Sequence, residues 1–297
     1  MSFFFEVLIG GLLSGIMYSL VALGFVLIYK ASGVFNFAQG ALVFFAALTF
    51  VGLLETGLPF WLALPATLLV MVLLAFVIER LVLRPLVNQP QITLFMATIG
   101  LAFFIEGLAQ MMWGANVRGL DLGLQDEPIQ LISDKTGMNI SKFDLAAAGV
   151  AAMLVAILAV FFSRTRIGRA LRAVADDHQA ALAVGIPLRQ IWTIVWGVAG
   201  AVALVAGLLW GARNGVQYAL TFVALKALPV LILGGFESVP GAIVGGLIIG
   251  ASEKLAEVYL GPYVGGGIEG WFPYVLALVF LLVRPEGLFG EKIIRRI

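Results

Sequence analysis

The sequence predicts an all-α polytopic membrane protein, a bundle of about eight to ten transmembrane helices. Hydrophobic residues fill 62% of the 297 positions and charged residues 12%, with a mean hydropathy of +1.07, whereas charged residues approach about a quarter of a soluble domain. Several apolar runs approach or exceed the roughly 20 residues that cross a hydrocarbon core of about 30 Å. They also lack the short alternating segments of a membrane β-barrel. With no Cys and a single His, the chain has no disulfides, thiol catalysis or thiolate metal sites, and no imidazole cluster for zinc or haem. No cofactor is implied, and a net charge of +1 argues against a nucleic-acid partner.

The first run, about residues 3–29, has no basic region before it and no small-residue cleavage site, so it reads as a retained span. Its Gly10, Gly11, Ser14, Gly15 and Ser19 suit close helix packing. Residues 30–40 break the run. A second span, about 41–54, is short unless residues 35–40 also enter the membrane. Gly57-Leu58-Pro59 is a turn, and a third span, about 60–78, ends on Glu79 and Arg80. The fourth covers about 93–113. Residues 114–142 form the longest polar segment, with Arg118, Lys135 and Lys142 against Asp121, Asp126, Glu127 and Asp134. Five further spans follow at about 145–162, 191–211, 218–233, 242–260 and 271–283.

Between the fifth and sixth lies residues 163–190, a polar loop with Arg164, Arg166, Arg169, Arg172 and Arg189 against Asp176 and Asp177. Its centre, 173–185, is rich in helix formers and stops at Gly185-Ile186-Pro187, which predicts a short amphipathic helix at the membrane surface. It is either a dock for a partner protein or a basic loop that only fixes topology. Lys and Arg in short loops are retained on the cytoplasmic side. Placing 163–190 inside puts Lys30, Arg80, Arg84, the five loop arginines, Arg284, Lys292, Arg295 and Arg296 inside, and leaves Arg118, Lys135, Lys142, Arg213 and Lys254 outside. The expected N-terminus is therefore outside and the C-terminus cytoplasmic. Residues 218–260 fit either two full spans or a re-entrant pair.

Ionisable groups at membrane depth usually face the protein interior or a cavity. Glu106 and Lys226 are placed there, either paired with each other, facing a solute route, or snorkelling to an interface. Asn36 and Gln39 flank a break between spans. Such unwound segments line solute sites in transporters, although a cytoplasmic turn with capping chemistry fits as well. Gly241, Gly245, Gly246 and Gly250 give the eighth run a flat face suited to close crossing.

Three stretches together resemble the permease subunit of branched-chain amino acid ABC importers. One is Gly11 to Gly24 followed by Asn36-Phe37-Ala38-Gln39-Gly40, where the family usually has His in place of Gln39. Another is Gly168-Arg169-Ala170-Leu171-Arg172-Ala173 with the Gly185-Ile186 that follows. The third is Leu225-Lys226-Ala227-Leu228-Pro229, with Leu233 to Ala242 and the ending Arg284-Pro285-Glu286-Gly287-Leu288-Phe289-Gly290. The resemblance covers nearly the whole chain. It implies a single transmembrane permease domain over 1–297, of the ABC importer permease type, with a cytoplasmic coupling loop at 163–190.

Gln179-Ala180-Ala181 through Gly185 is similar to the permease coupling motif, with Gln in place of Glu. Asp176, Asp177, Gln179, Ala180, Ala181 and Gly185 are thereby assigned to ATPase coupling. Tyr18, Asn36, Gln39, Glu106 and Lys226 are candidates for the translocation path. The implied partners are a second homologous permease subunit, two ATPase subunits, an external periplasmic solute-binding protein, membrane lipid and a small solute. The expected location is the bacterial cytoplasmic (inner) membrane, and the solute a branched-chain or related amino acid, an amide or a small aromatic acid.

The chain has no GxxxxGK[ST] sequence and is expected to be a non-catalytic subunit, with ATP hydrolysis on separate ATPases. A membrane-embedded enzyme would need a nucleophile with its base or a metal cluster, which this composition does not supply. A sugar-type permease and a passive channel are the remaining alternatives.

Overall fold

A computed structural model describes residues 2–86, 89–124, 126–176, 181 and 183–290. The chain forms two compact units, one of Met1–Ala22, Asp121–Val155 and Leu225–Ile297, the other of Leu23–Leu120 and Ala156–Ala224. Among the described residues the helices of seven residues or more are α1 Ser2–Ser32, α2 Gln39–Glu55, α3 Phe60–Ile78, α4 Gln91–Trp113, α5 Gln130–Thr136, α6 Lys142–Arg164, α7 Arg166–Asp176, α8 Leu188–Asn214, α9 Val223–Gly234, α10 Val239–Tyr259 and α11 Phe272–Val283. Among the described residues, extended pairing is confined to two isolated bridges, Arg118 with Val216 and Pro128 with Ser141.

Among the described residues, six helices are long and apolar enough to cross a membrane, joined by three shorter apolar ones, Gln39–Glu55, Tyr218–Gly234 and Phe272–Val283. Together they coincide with the nine apolar runs of the sequence. Trp61, Phe103 and Met111 leave large apolar side chains on the outer surface of α3 and α4, as lipid contact requires.

The second unit is built around α2. Every residue from Gln39 to Gly52 is buried, the signature of a helix enclosed by protein on all sides. It packs against α3, α4, α8 and the 3-10 turn Tyr218–Phe222. A β-carbon at Gly40 would lie 2.3 Å from the Thr221 carbonyl oxygen, so this position admits only glycine at that spacing. Trp192 of α8 donates from Nε1 to the Ala31 carbonyl at 3.1 Å, holding the last turn of α1. At the end of α3 the helix widens into a π turn, Glu79–Leu83. Arg84 keeps αR angles, φ −59° and ψ −45°, although Pro85 follows it, and a 3-10 turn, Arg84–Leu86, closes the segment.

In the first unit, α10 starts at a true cap. Ser238 Oγ accepts from the Gly241 amide at 3.0 Å and Pro240 lies in the first turn, where a missing N–H costs nothing. Its glycine face meets α1 and α9 backbone to backbone. Gly246 lies against Gly15, Gly250 against Gly11, Gly241 against Gly234 and Gly245 against Val230. The Arg284–Gly290 ending folds back onto the α9–α10 turn, where Leu288 N–H donates to Leu233 at 2.8 Å and Phe289 N–H to Gly234 at 3.1 Å.

The polar segment 114–142 contains α5. Within 163–190, where part of the 173–185 stretch lies outside the described residues, α7, Arg166–Asp176, starts ahead of that stretch. The reason lies in its spacing: Arg166, Arg169 and Arg172 face solvent while Leu171 and Val174 are buried, so the arginine-rich stretch is itself amphipathic. Thr165 Oγ1 accepts from the Gly168 amide at 3.1 Å, which caps the start of α7. A β-carbon at Gly168 would lie 2.1 Å from the Phe162 carbonyl oxygen, so glycine permits the tight α6–α7 corner.

Candidate functional site

Polar side chains gather inside each unit. In the first, Tyr18 of α1, Lys226 of α9 and Glu253 of α10 meet. The Lys226 ammonium donates to Glu253 Oε1 at 3.0 Å and to the Tyr18 hydroxyl at 3.5 Å. Tyr18 in turn donates to the same Glu253 Oε1 at 3.2 Å, and the ammonium stands 5.9 Å from the centre of the Tyr18 ring, within range for a cation–π contact. The Glu253 side chain is 3% exposed and that of Lys226 29%. Glu253 Oε2 is buried with no hydrogen-bond partner among the described residues.

Within its own unit Glu106 accepts from the Tyr218 hydroxyl at 3.4 Å, and within its own Lys226 takes Glu253. Sequence reasoning passed over Glu253 because it stands beside Lys254 near the end of its run. The signal that finds it is spacing: Gly246, Gly250 and Glu253 follow one another at four and three residues, so the carboxylate continues the buried glycine face of α10.

In the second unit, Asn36 and Gln39 are both fully buried. Asn36 Oδ1 accepts from the Ala38 amide at 3.1 Å, and its amide group lies 3.5 Å from Gln39 Oε1. Gln39 Nε2 has no partner among the described residues and rests against Gly24, where a β-carbon would lie 2.3 Å away.

Aromatic rings hold this break in place. Phe35 stacks on Phe25 at 4.7 Å and Phe37 meets Phe35 at 4.8 Å and Phe95 at 5.0 Å, edge to face. Thr98 Oγ1 donates to the Phe35 carbonyl at 3.2 Å and accepts from the Phe37 amide at 3.3 Å. A cleft of about 260 Å³ opens beside the break, lined by Gly33, Val34, Phe35, Gln91, Ile92 and Phe95. The segment is thus interior, not a solvated turn, and Gln39 and Gly40 belong to α2. The longer helix is what makes the short second run viable.

Of the coupling candidates, Asp176 is the last residue of α7, and Asp177, Gln179 and Ala180 lie outside the described residues. Ala181 is 2% exposed, buried by this chain itself, and its carbonyl accepts from the Ile186 amide at 3.0 Å. Gly185 has φ +84°, the left-handed conformation that glycine adopts without strain. Val184 beside it is 76% exposed. Among the described residues no group of three or more His, Asp or Glu is arranged to hold a metal ion.

The family model described as "Branched-chain amino acid transport system / permease component" matches residues 7–284. The high-affinity branched-chain amino acid transport system permease protein LivH of Escherichia coli K12 is 27% identical over 310 residues, covering 99% of this chain and 98% of LivH. The corresponding permease protein BraD of Pseudomonas aeruginosa is 28% identical over 306 residues, covering 99% and 98%. The fructose import permease protein FruG of Bifidobacterium longum is 24% identical over 262 residues, covering 84% of this chain and 74% of FruG.

Proposed function

This chain belongs to the family of branched-chain amino acid transport system permease components, and on that premise we propose that it is one membrane subunit of an ATP-driven importer of branched-chain or related amino acids. The observation that carries the proposal is the family match over residues 7–284. Near-complete alignment with LivH and BraD, against 74% of FruG, favours amino acids over sugars.

The working assembly in this reading contains a second related permease, two ATPase subunits and an external solute-binding protein in the bacterial cytoplasmic membrane. Hydrolysis of ATP belongs to the ATPases, and this chain performs no covalent step. Residues 163–190 face the cytoplasm, with the N-terminus outside and the C-terminus inside, as the distribution of Lys and Arg favours. Asp176, Asp177, Gln179, Ala180, Ala181 and Gly185 form the coupling segment. Burial of Ala181 supports a division of labour in which Ala181 seats the segment on the permease and neighbouring exposed positions such as Val184 meet the ATPase.

Closure of the ATPases would move this segment, and through α7 and the Gly168 corner the motion reaches α6. Tyr18, Asn36, Gln39, Glu106 and Lys226 are assigned to the translocation path, supported by their polarity within apolar runs and by Gln39 Nε2, which has no partner among the described residues. A passive channel has no use for an ATPase dock. Co-expression of the tagged chain with its ATPase subunits tests the reading: stable co-purification in detergent is expected, and a permease that purifies alone with no gain in ATPase coupling contradicts it.

A further inference from the structure

We propose that Lys226 and Glu253, with Tyr18, form a site in the first unit for the zwitterionic head of an amino acid, Lys226 taking the α-carboxylate and Glu253 Oε2 the α-ammonium. The inference rests on the amino-acid permease reading and names the group by which this chain recognises its solute.

Three features of the cluster carry it. Both donors converge on one oxygen of Glu253, at 3.0 Å from Lys226 and 3.2 Å from Tyr18, while Oε2 is buried with no partner among the described residues. A buried carboxylate oxygen without a donor is rare in native proteins, and bilayer hydrocarbon supplies no water to satisfy it. The missing group is therefore a hydrogen-bond donor, best a cationic one. Lys226, for its part, is not enclosed: its side chain is 29% exposed, so its ammonium, with three N–H donors, is open to an acceptor from outside the cluster.

A molecule that brings an ammonium and a carboxylate on one carbon satisfies both at once. Charge balance points the same way. The Lys226–Glu253 pair is neutral overall, and an amino acid is neutral overall, so exchanging the internal pair for two pairs with solute leaves no net charge at membrane depth. A lone cation or a lone anion leaves one member of the pair uncompensated, and a sugar offers neither charge. The site reads the head group and not the side chain, which suits a permease that receives solute already selected elsewhere.

The test uses the whole permease–ATPase assembly in nanodiscs without the external binding protein, so that its selectivity does not enter. Saturation-transfer NMR is recorded with leucine, leucinamide (no carboxylate) and isocaproate (leucine without its amino group). Leucine is expected to give the strongest transfer, and each analogue, lacking one charge-assisted contact, about tenfold less. The neutral, near-isosteric double variant Lys226→Met/Glu253→Gln is expected to assemble and to lose the leucine signal. Equal transfer from leucine and either analogue overturns the site, and this comparison decides even if the double variant does not assemble. Leucine uptake by the double variant within about twofold of the unaltered assembly also overturns it, leaving the permease reading intact. ATP-driven uptake of a sugar and of no amino acid by the unaltered assembly removes the permease reading itself, and the site with it.

Discussion

Gly11 of α1 and Gly250 of α10 meet backbone to backbone: a β-carbon on Gly11 would lie 2.6 Å from the Gly250 carbonyl oxygen, and one on Gly250 would lie 2.3 Å from the Gly11 carbonyl oxygen. The obstacle on each side is main chain, which has no rotamer by which to move away. Gly10, one residue earlier, has nothing within 4 Å of the same position. Gly250→Ala and Gly11→Ala are expected to destabilise by about 1–3 kcal/mol, the usual cost of overpacking, whereas Gly10→Ala is neutral or mildly favourable because alanine is the better helix former. Thermal unfolding monitored by size-exclusion fluorescence compares the three variants directly.

A second prediction concerns the end of α3. Arg84 holds Glu79 with two bonds, Nε to Oε1 at 3.2 Å and a terminal nitrogen to Oε2 at 2.9 Å, and the Glu79 side chain is 1% exposed while that of Arg84 is 35%. Removing Arg84 leaves a buried carboxylate without its counter-charge. Full burial would cost about 3–5 kcal/mol, and the partial exposure of Arg84 reduces this to roughly 2 kcal/mol for Arg84→Ala. Arg84→Lys restores the charge but not the fork, and its melting temperature should fall between those of Arg84→Ala and the unaltered protein. Equal melting temperatures for all three would show that the pair contributes nothing.

The coupling segment provides a third. Proline fixes φ near −65°, incompatible with the +84° of Gly185, and a charge on exposed Val184 spoils an apolar docking surface without touching the core. Gly185→Pro and Val184→Glu are expected to assemble normally yet to reduce uptake per ATP hydrolysed by about tenfold or more. Uptake and phosphate release measured on the same vesicles give the ratio. An unchanged ratio in both variants would reassign the segment to a topology-fixing loop.

The absence of Cys offers a ready test of orientation, since any introduced thiol is unique. Ala183→Cys should react with a membrane-impermeant maleimide only from the cytoplasmic side, and Lys135→Cys only from the outside. Reversal of the two patterns would invert the topology assigned from Lys and Arg.

The fold was legible where the pattern is long and apolar. All nine runs became helices because a residue in lipid has little choice of backbone partner. The glycine spacing of α10 announced a close crossing, and the small residues Gly11 and Gly15 of α1 supplied the opposite wall. What the sequence hid depended on tertiary partners. Lys226 was visible as a charge within an apolar run, but its meeting with Glu253 depended on the packing of α9 against α10. Glu253 was concealed in a Ser-Glu-Lys stretch that reads as a helix end. Asn36 and Gln39 fit a solvated cap and an interior break equally well in one dimension, and it is the packing of Phe25, Phe35, Phe37 and Phe95 that distinguishes them. The start of α7 was hidden because five arginines read as a loop, although the three-residue spacing of Arg166, Arg169 and Arg172 leaves Leu171 and Val174 on the opposite face.

The most direct measurement is solute uptake by proteoliposomes holding the complete assembly, with leucine supplied on its binding protein and ATP enclosed with the ATPases. The account predicts leucine accumulation above the external concentration that requires ATP and this chain together. Equilibration of leucine at the same rate with and without ATP would contradict it and identify a passive pathway.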